Sequence, residues 1–347
     1  MSGFVIGLGL LLLGAILIAI FRVTTLIGIA KGDGKKRVGS ANGVNAFLFI
    51  VFLVGSFILL FWYSYTHFDS YNLPLASEHG VVTDRIFWIT MGVTCVAFII
   101  THVLLFVFPY VYRFKEEKEA FYFPHNNKLE LTWTIVPAVV LSVLIFTGWR
   151  AWVDITAPAP EDSERIEIMG YQFAWAVRYG GGDGQLGKSD FRLIDVDNRM
   201  GIDFSDRKSY DDFIPLEIHI PKGKNIEFKI RATDVIHSVF APHFRLQMNA
   251  VPGLPTSFWF TPTKTTAEMR SELENENFNY ELVCNKICGK GHFAMRYLII
   301  VDEPEAYQEW YKSQQAWLKL NPDYLSKVPA DLREVAAISA KMDGSLN

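Results

Sequence analysis

Between Cys284 and Met295 the chain reads Cys-Asn-Lys-Ile-Cys-Gly-Lys-Gly-His-Phe-Ala-Met, which places two thiols, one imidazole and one thioether within twelve residues. Upstream, His237 reads as following a strand and opening a loop. Thiolate and thioether are soft donors, and together with imidazole they select copper over calcium, magnesium or manganese. A mononuclear blue-copper site needs only one Cys beside two His and a weak Met. With a second Cys, two bridging thiolates could hold two copper ions side by side. The competing readings fit less well. Cys-x3-Cys could be half of a zinc site, but thioether is a poor zinc ligand. A redox dithiol favours Cys-x-x-Cys. Each of the five residues alone is ambiguous; their combination points to copper.

A centre of this kind needs a scaffold, and the chain has two contrasting halves from which to build one. Of 347 residues, 50% are hydrophobic and 20% charged, and the mean hydropathy of +0.17 is high for a soluble chain. Up to Val153 there are eleven Lys/Arg against eight Asp/Glu; beyond it there are twenty-two against twenty-nine, so the two parts carry +3 and −7. This excludes a single soluble domain, a disordered chain and a basic nucleic-acid binder. Three cysteines cannot form a disulfide framework.

Residues 1–21, 38–66, 86–112 and 131–149 contain no Asp, Glu, Lys or Arg. A bilayer core takes roughly 20 apolar residues as a helix, so four membrane-spanning helices are expected. The first stretch has neither a charged leading region nor a clear small-residue cleavage site, and reads as a retained span rather than a signal peptide. Basic residues crowd two of the connecting loops: Lys31, Lys35, Lys36 and Arg37 in the first, Arg113, Lys115, Lys118 and Lys128 in the third. The positive-inside rule puts those loops in the cytoplasm, and the N-terminus and everything after the fourth span outside. In the third span, Cys95 reads as a small buried hydrophobe and His102 as a hydrogen-bonded side chain.

After Trp152 the text changes. Short runs rich in β-branched and aromatic residues appear at 165–169, 171–179, 191–196, 216–220, 225–231, 256–260, 280–283 and 296–301, separated by Gly, Pro, Asn and Asp. Such spacing predicts a β-sandwich or barrel. The segments 180–184 and 203–212 read as a solvated surface insertion. From Pro304 a helical pattern follows, with Trp310 and Trp317 on one face of a helix over 305–320.

The pattern His…Cys-x3-Cys-x3-His-x2-Met, carried by His237, Cys284, Cys288, His292 and Met295, resembles subunit II of the haem–copper terminal oxidases with its binuclear CuA centre. The flanking text is similar too: Asp234-Val-Ile-His237-Ser, Ala250-Val-Pro-Gly253, Arg192-Leu-Ile-Asp-Val-Asp-Asn-Arg199 and Glu130-Leu-Thr-Trp-Thr-Ile-Val-Pro137. The resemblance covers residues 86–302. It implies a membrane-anchored all-β chain: four N-terminal transmembrane helices, a cupredoxin-like β-sandwich and a C-terminal helical tail. The implied domains are an extra transmembrane hairpin (1–66), the family's usual hairpin (86–153), the external CuA domain (163–302) and a C-terminal extension (303–347). The implied cofactors are two copper ions, with the backbone carbonyl of Lys286 as a further ligand, and haems only in a partner subunit I.

The resemblance also implies a role. Electrons come singly from a separate cytochrome c or c-type haem domain, since this chain has no Cys-x-x-Cys-His haem motif. They pass to subunit I, where oxygen is reduced to water and protons are pumped across a bacterial-type inner membrane. The −7 charge of the external half suits a cationic donor. Glu130 corresponds to a carboxylate at the mouth of a proton path, and Phe173 to the aromatic residue that receives electrons. Three departures stand out. Phe173 replaces the family's Trp and cannot donate an indole hydrogen bond. Lys286 replaces a Glu that binds magnesium, and Asn249 and Leu254 replace an Asp and an Arg nearby; these changes argue against a magnesium site. The retained ligands speak against a quinol oxidase subunit. The alternative from another class is a membrane-anchored copper-binding or assembly protein, which would have no use for Glu130.

Overall fold

Apolar runs of this length can satisfy their backbone groups in lipid only as helices, and the computed structural model, which describes residues 2–31, 39 and 41–341, forms four of them. They are α1 (Ser2–Ala30), α2 (Ala41–Thr66), α4 (Glu78–Val111) and α5 (Asn127–Ile155), with a single turn α3 (Phe68–Tyr71) after α2. All four long helices are apolar enough to cross a membrane, over 24 to 34 residues, and the chain is a membrane protein. The helices outrun the charge-free stretches: α1 continues through Arg22, and α5 includes Lys128, Glu130, Arg150 and Asp154. Helical hydrogen bonding does not stop where the hydrocarbon does, and long charged side chains at the ends can reach the interface. Lys35, Lys36 and Arg37 of the first basic loop, and residues 342–347 of the extension, lie outside the described residues.

Two compact units are present, one of Met1–Tyr71 with Ile89–Ala138 and one of Asn72–Trp88 with Val139–Asn347. In the first, Phe49, Phe52 and Phe57 of α2 meet Phe98, His102 and Phe106 of α4 at ring distances between 5.2 and 6.4 Å. His102 donates from Nδ1 to the carbonyl of Phe98 within its own helix.

Among the described residues, the second unit contains nine strands: β1 (Glu164–Tyr171), β2 (Ala174–Tyr179), β3 (Ile218–Pro221), β4 (Ile226–Ala232), β5 (His237–Ala241), β6 (Leu246–Ala250), β7 (Thr256–Phe260), β8 (Tyr280–Cys284) and β9 (Arg296–Asp302). They form a four-stranded sheet in the order β2-β1-β4-β7 and a five-stranded sheet in the order β3-β9-β8-β5-β6. The β1–β4 and β3–β9 pairs are parallel and the other pairs antiparallel. Alternate residues of both sheets, including Ile166, Ile168, Ile226, Phe228, Ile230, Val239, Leu282, Ile299 and Val301, bury into one cluster. The short helix α6 (Thr266–Glu272) begins with a capping box between Thr265 and Glu268.

Several sequence-based expectations need correction. The run 171–179 is two strands joined at Gln172–Phe173. Strands β5 and β6 were not anticipated, because β6 holds no β-branched or aromatic residue and β5 only Val239 and Phe240. His237 is the first residue of β5 and opens a strand rather than a loop. Residues 191–196 are not a strand: Phe191–Leu193 is a 3-10 turn whose start is capped by Asp190 accepting from Arg192 N. Gly182, Asp183 and Gly184 are exposed, but the segment 203–212 is not a solvated excursion. Phe204 and Tyr210 are buried there, with Met200 and Ile202 just before it, against Met169 and Ala176 from the outward face of β1 and β2. Three helices of the C-terminal region, α7 (Pro304–Ser313), α8 (Trp317–Leu320) and α9 (Arg333–Ser339), replace a single helix over 305–320. Trp317 joins this second core, whereas Trp310 stacks on His219 at 4.2 Å and packs against the first. The break at 314–316 lets the two tryptophans serve different cores.

The segment before α4 is tied to the β-domain. Arg245 makes two hydrogen bonds to Asp84, at 2.7 and 2.9 Å, His243 Nδ1 donates to the Pro74 carbonyl, and Ser77 Oγ donates to the Phe244 carbonyl.

Candidate metal centre

Antiparallel pairing sets Val239 opposite Cys284 and Phe240 opposite Val283. His237 therefore lies two residues from the partner of Cys284, on the same face of the sheet. The loop between β8 and β9 closes on itself: Cys284 N donates to the Met295 carbonyl, and Asn285 N to the Ser238 carbonyl. Within it, His292 opens a 3-10 turn and Met295 ends it. A tight loop of this kind brings side chains eleven residues apart back to one point.

The donor atoms converge there. Ligand atoms of His237, Cys284 and Cys288 all lie within 4.8 Å of one another. Cys284 Sγ is 3.9 Å from His237 Nδ1 and 3.2 Å from the Lys286 carbonyl oxygen. Cys288 Sγ is 3.6 Å from His292 Nδ1 and 3.4 Å from Met295 Sδ. His237, Cys284, Cys288 and Met295 are buried and His292 is half-buried. Two thiols, two imidazole nitrogens, a thioether and a carbonyl make a soft, nitrogen- and sulfur-rich set. It can hold a copper or similar metal ion and is unsuited to magnesium. Burial and the neighbouring Cys284 push the Cys288 thiol up to about 11, so metal binding must displace a proton.

Nε2 of His237 is occupied by Asp234, whose Oδ1 accepts its hydrogen bond at 2.8 Å. That leaves Nδ1 for a metal, the usual way an outer carboxylate fixes the tautomer of a ligand imidazole. Burial pushes the Asp234 carboxyl up, but hydrogen bonds from His237, Gln172 N and Val235 N outweigh it and hold the group below the usual carboxylate range. Trp175 places its ring 5.9 Å from that of His237 and donates from Nε1 to the Met295 carbonyl at 3.4 Å. Gln172 donates from Nε2 to the Cys288 carbonyl at 2.5 Å. Sequence reasoning did not single out Asp234, Gln172 or Trp175 as supports. Only Asp234 left a usable signal, a carboxylate three residues before a candidate ligand histidine.

The remaining candidates are placed as follows. Phe173, 38% exposed, lies against Gly289 and Gly291 of the ligand loop, at the rim of the centre. Ile287 and Phe293, each 88% exposed, extend an apolar surface around it. The side chains of Lys286, Asn249 and Leu254 are exposed. Glu130 is in the first turn of α5, exposed, where its carboxylate accepts from Asn126 N at 3.4 Å while Asn126 Oδ1 accepts from Leu129 N at 3.1 Å. Glu130 thus takes part in capping the helix start.

Comparison with known proteins sets this geometry in context. The sequence pattern described as "Cytochrome C oxidase subunit II, transmembrane domain" matches residues 62–149. The "Alternative cytochrome c oxidase subunit 2" of Bradyrhizobium diazoefficiens is 34% identical over 256 residues, covering 72% of this chain and 85% of the relative. The "Cytochrome c oxidase subunit 2" of Thermostichus vulcanus is 28% identical over 288 residues, covering 75% and 82%. Among solved structures, the periplasmic domain of subunit II of cytochrome oxidase from Bradyrhizobium japonicum aligns with 45% of this chain and 96% of its own, at 22% identity and a TM-score of 0.30.

Proposed function

The chain belongs to the subunit II family of cytochrome c oxidase, and from that premise we propose that it is the subunit through which electrons enter the enzyme. The observation that carries this reading is the convergence of five donor side chains and one carbonyl on a single buried point. In this reading the external domain is cupredoxin-like, and His237, Cys284, Cys288, His292, Met295 and the Lys286 carbonyl hold two copper ions. When bound, such a copper pair would supply one-electron redox chemistry, with the thiolates of Cys284 and Cys288 among the residues that would hold it. The protein's part is to hold the ligands still. The β8–β9 loop is hydrogen-bonded at both ends, Asp234 orients His237, and burial of both thiols excludes water. Rigid ligands lower the reorganisation that each electron transfer requires.

Phe173 is the contact through which electrons arrive, supported by its exposure beside the ligand loop. The donor is a separate cytochrome c, steered by the acidic external half. Haem-bearing subunit I and the other oxidase subunits, with membrane lipid, cover the apolar helices. Basic residues Arg113, Lys115, Lys118 and Lys128 put their loop in the cytoplasm, and the N-terminus and metal centre on the periplasmic side. A metal count with an electron paramagnetic resonance spectrum of the full-length chain tests the reading. Two coppers sharing one unpaired electron are expected; a single mononuclear copper, or zinc, would overturn it.

Glu130, water-exposed at the inner end of α5, is the mouth of a proton path into subunit I. Glu130→Gln in the assembled enzyme slows oxygen consumption while copper content and spectrum stay unchanged. An unaltered turnover rate would leave Glu130 as a helix cap alone.

A further inference from the structure

The β1–β2 turn is only Gln172 and Phe173, yet it touches both halves of the metal centre. Gln172 N donates to Asp234 Oδ2 at 2.6 Å, and the other oxygen of that carboxylate holds His237. The Gln172 amide reaches the opposite way and donates to the Cys288 carbonyl at 2.5 Å. Phe173 then lies against the loop that carries Cys288 and His292. A Cβ placed on Gly289 would fall 2.7 Å from Cε1 and Cζ of Phe173. One placed on Gly291 would fall 2.5 to 2.8 Å from its Cγ, Cδ2 and Cβ. Real Cβ atoms do not sit that close, so both positions must lack side chains while the ring stays where it is.

The two glycines differ in an informative way. Gly289 has φ +138°, a conformation L residues avoid, so its identity has a backbone reason as well. Gly291 has φ −92° and ψ 9°, which other residues adopt readily. Its lack of a side chain has one reason, the ring of Phe173. The atoms that an added methyl would meet are at the root of that side chain, so rotating the ring gives no relief; the turn itself would have to move.

We infer that the Gln172–Phe173 turn is a positioning clamp that seats the ligand loop against His237, with Gln172 and Gly291 as its two fitted parts. The inference rests on the copper reading above. It concerns what fixes the ligands, not what they bind. Gln172 is a positioning residue in this sense: it touches no donor atom, and acts through the Cys288 backbone on one side and through Asp234 on the other. Outer partners of metal ligands typically change metal affinity about tenfold to a hundredfold when removed.

The test uses the full-length chain in detergent, with copper affinity read by chelator competition and the paramagnetic resonance spectrum read alongside. Gln172→Met keeps the length of the side chain and removes the donor. Gly291→Ala adds one methyl group under the ring. Each is expected to weaken copper binding about tenfold or more and to alter the hyperfine pattern. The pair Phe173→Gly with Gly291→Ala should regain the affinity of Phe173→Gly alone, because the ring and the Cβ at position 173 are then both gone and the methyl has room. That rescue separates a clamp from general damage to the fold. Wild-type affinity and spectrum in both Gln172→Met and Gly291→Ala, or no rescue in the pair, would overturn the clamp. A wild-type chain that takes up no copper would instead overturn the functional reading, and the clamp with it.

Discussion

Cys288→Ser is expected to leave a chain with no electron shared over two coppers, and Cys284→Ser to do the same. Each thiol lies close to different neighbours, Cys284 beside His237 and the Lys286 carbonyl, Cys288 beside His292 and Met295. If each thiolate bridges, each is shared by both metals, and neither half survives alone. A hydroxyl is a harder donor that stays protonated at neutral pH, so serine cannot replace a bridging thiolate. Copper content should fall to at most one ion per chain, and electron transfer from reduced cytochrome c should be lost. Met295→Leu is the contrasting case. A thioether is the weaker ligand, so both coppers remain while the spectrum and the transfer rate change. A Cys288→Ser chain that kept the two-copper signal would falsify the bridging assignment.

The second large effect is on stability. Arg178, Glu167, Asp212 and Arg231 form an ion cluster between the outward face of β1, β2 and β4 and the segment 180–215. Arg178 bonds Glu167 at 2.5 Å, Asp212 at 2.8 Å and the Gly187 carbonyl at 2.9 Å, and Arg231 bonds Glu167 at 2.6 Å. Arg178 is 1% exposed and Asp212 is fully buried. Removing Arg178 takes a buried cation away from Glu167, and breaking a buried pair in this way costs about 3–5 kcal/mol. Arg178→Met should therefore lower the thermal midpoint of the external unit sharply, with the second core loosening first. That core contains Trp317, whose backbone N donates to the Asp212 carbonyl at 2.7 Å, so tryptophan fluorescence reports the loss.

Asp212 also gives this cluster a pH dependence. Burial pushes its carboxyl up to about 8, against the pull of Arg178 and the hydrogen bond from Gly187 N. Because the folded value lies above the unfolded one, the folded state holds the proton more tightly. The contribution is complete below the unfolded value and is lost as pH rises to about 8. The thermal midpoint should fall from mildly acidic to mildly alkaline pH, and Asp212→Asn should flatten that slope. An equal slope in both proteins would show that Asp212 holds no proton in the fold.

Much of the molecule was legible without coordinates, and for different reasons. The four spans follow from a local property, apolar length, because lipid leaves a backbone no choice but helix. The donors proposed for copper were legible because twelve residues carry four of them, and a short loop can close on one point whatever surrounds it. His237 was grouped with them by residue type alone: it is 47 residues from Cys284, and strand pairing, not spacing, brings it within 3.9 Å. Strands β5 and β6 were missed for a related reason. β6 holds no β-branched or aromatic residue and β5 only Val239 and Phe240, so the composition that marked the other strands is weak in both, and pairing makes them strands.

What only the tertiary structure decided is everything that depends on two surfaces meeting. Residues 180–215 look polar enough to be solvated, yet they cover the outward face of β1 and β2 because the C-terminal helices supply the other wall of a second core. Gln172 and Gly291 carry no sequence signature of their role. Gln172 acts through a carbonyl 116 residues away, and Gly291 through the space it leaves for a ring. Donor chemistry is a property of residue types and so is written in the sequence. The fit that holds those donors in place is a property of distances between segments, and only the folded chain has those.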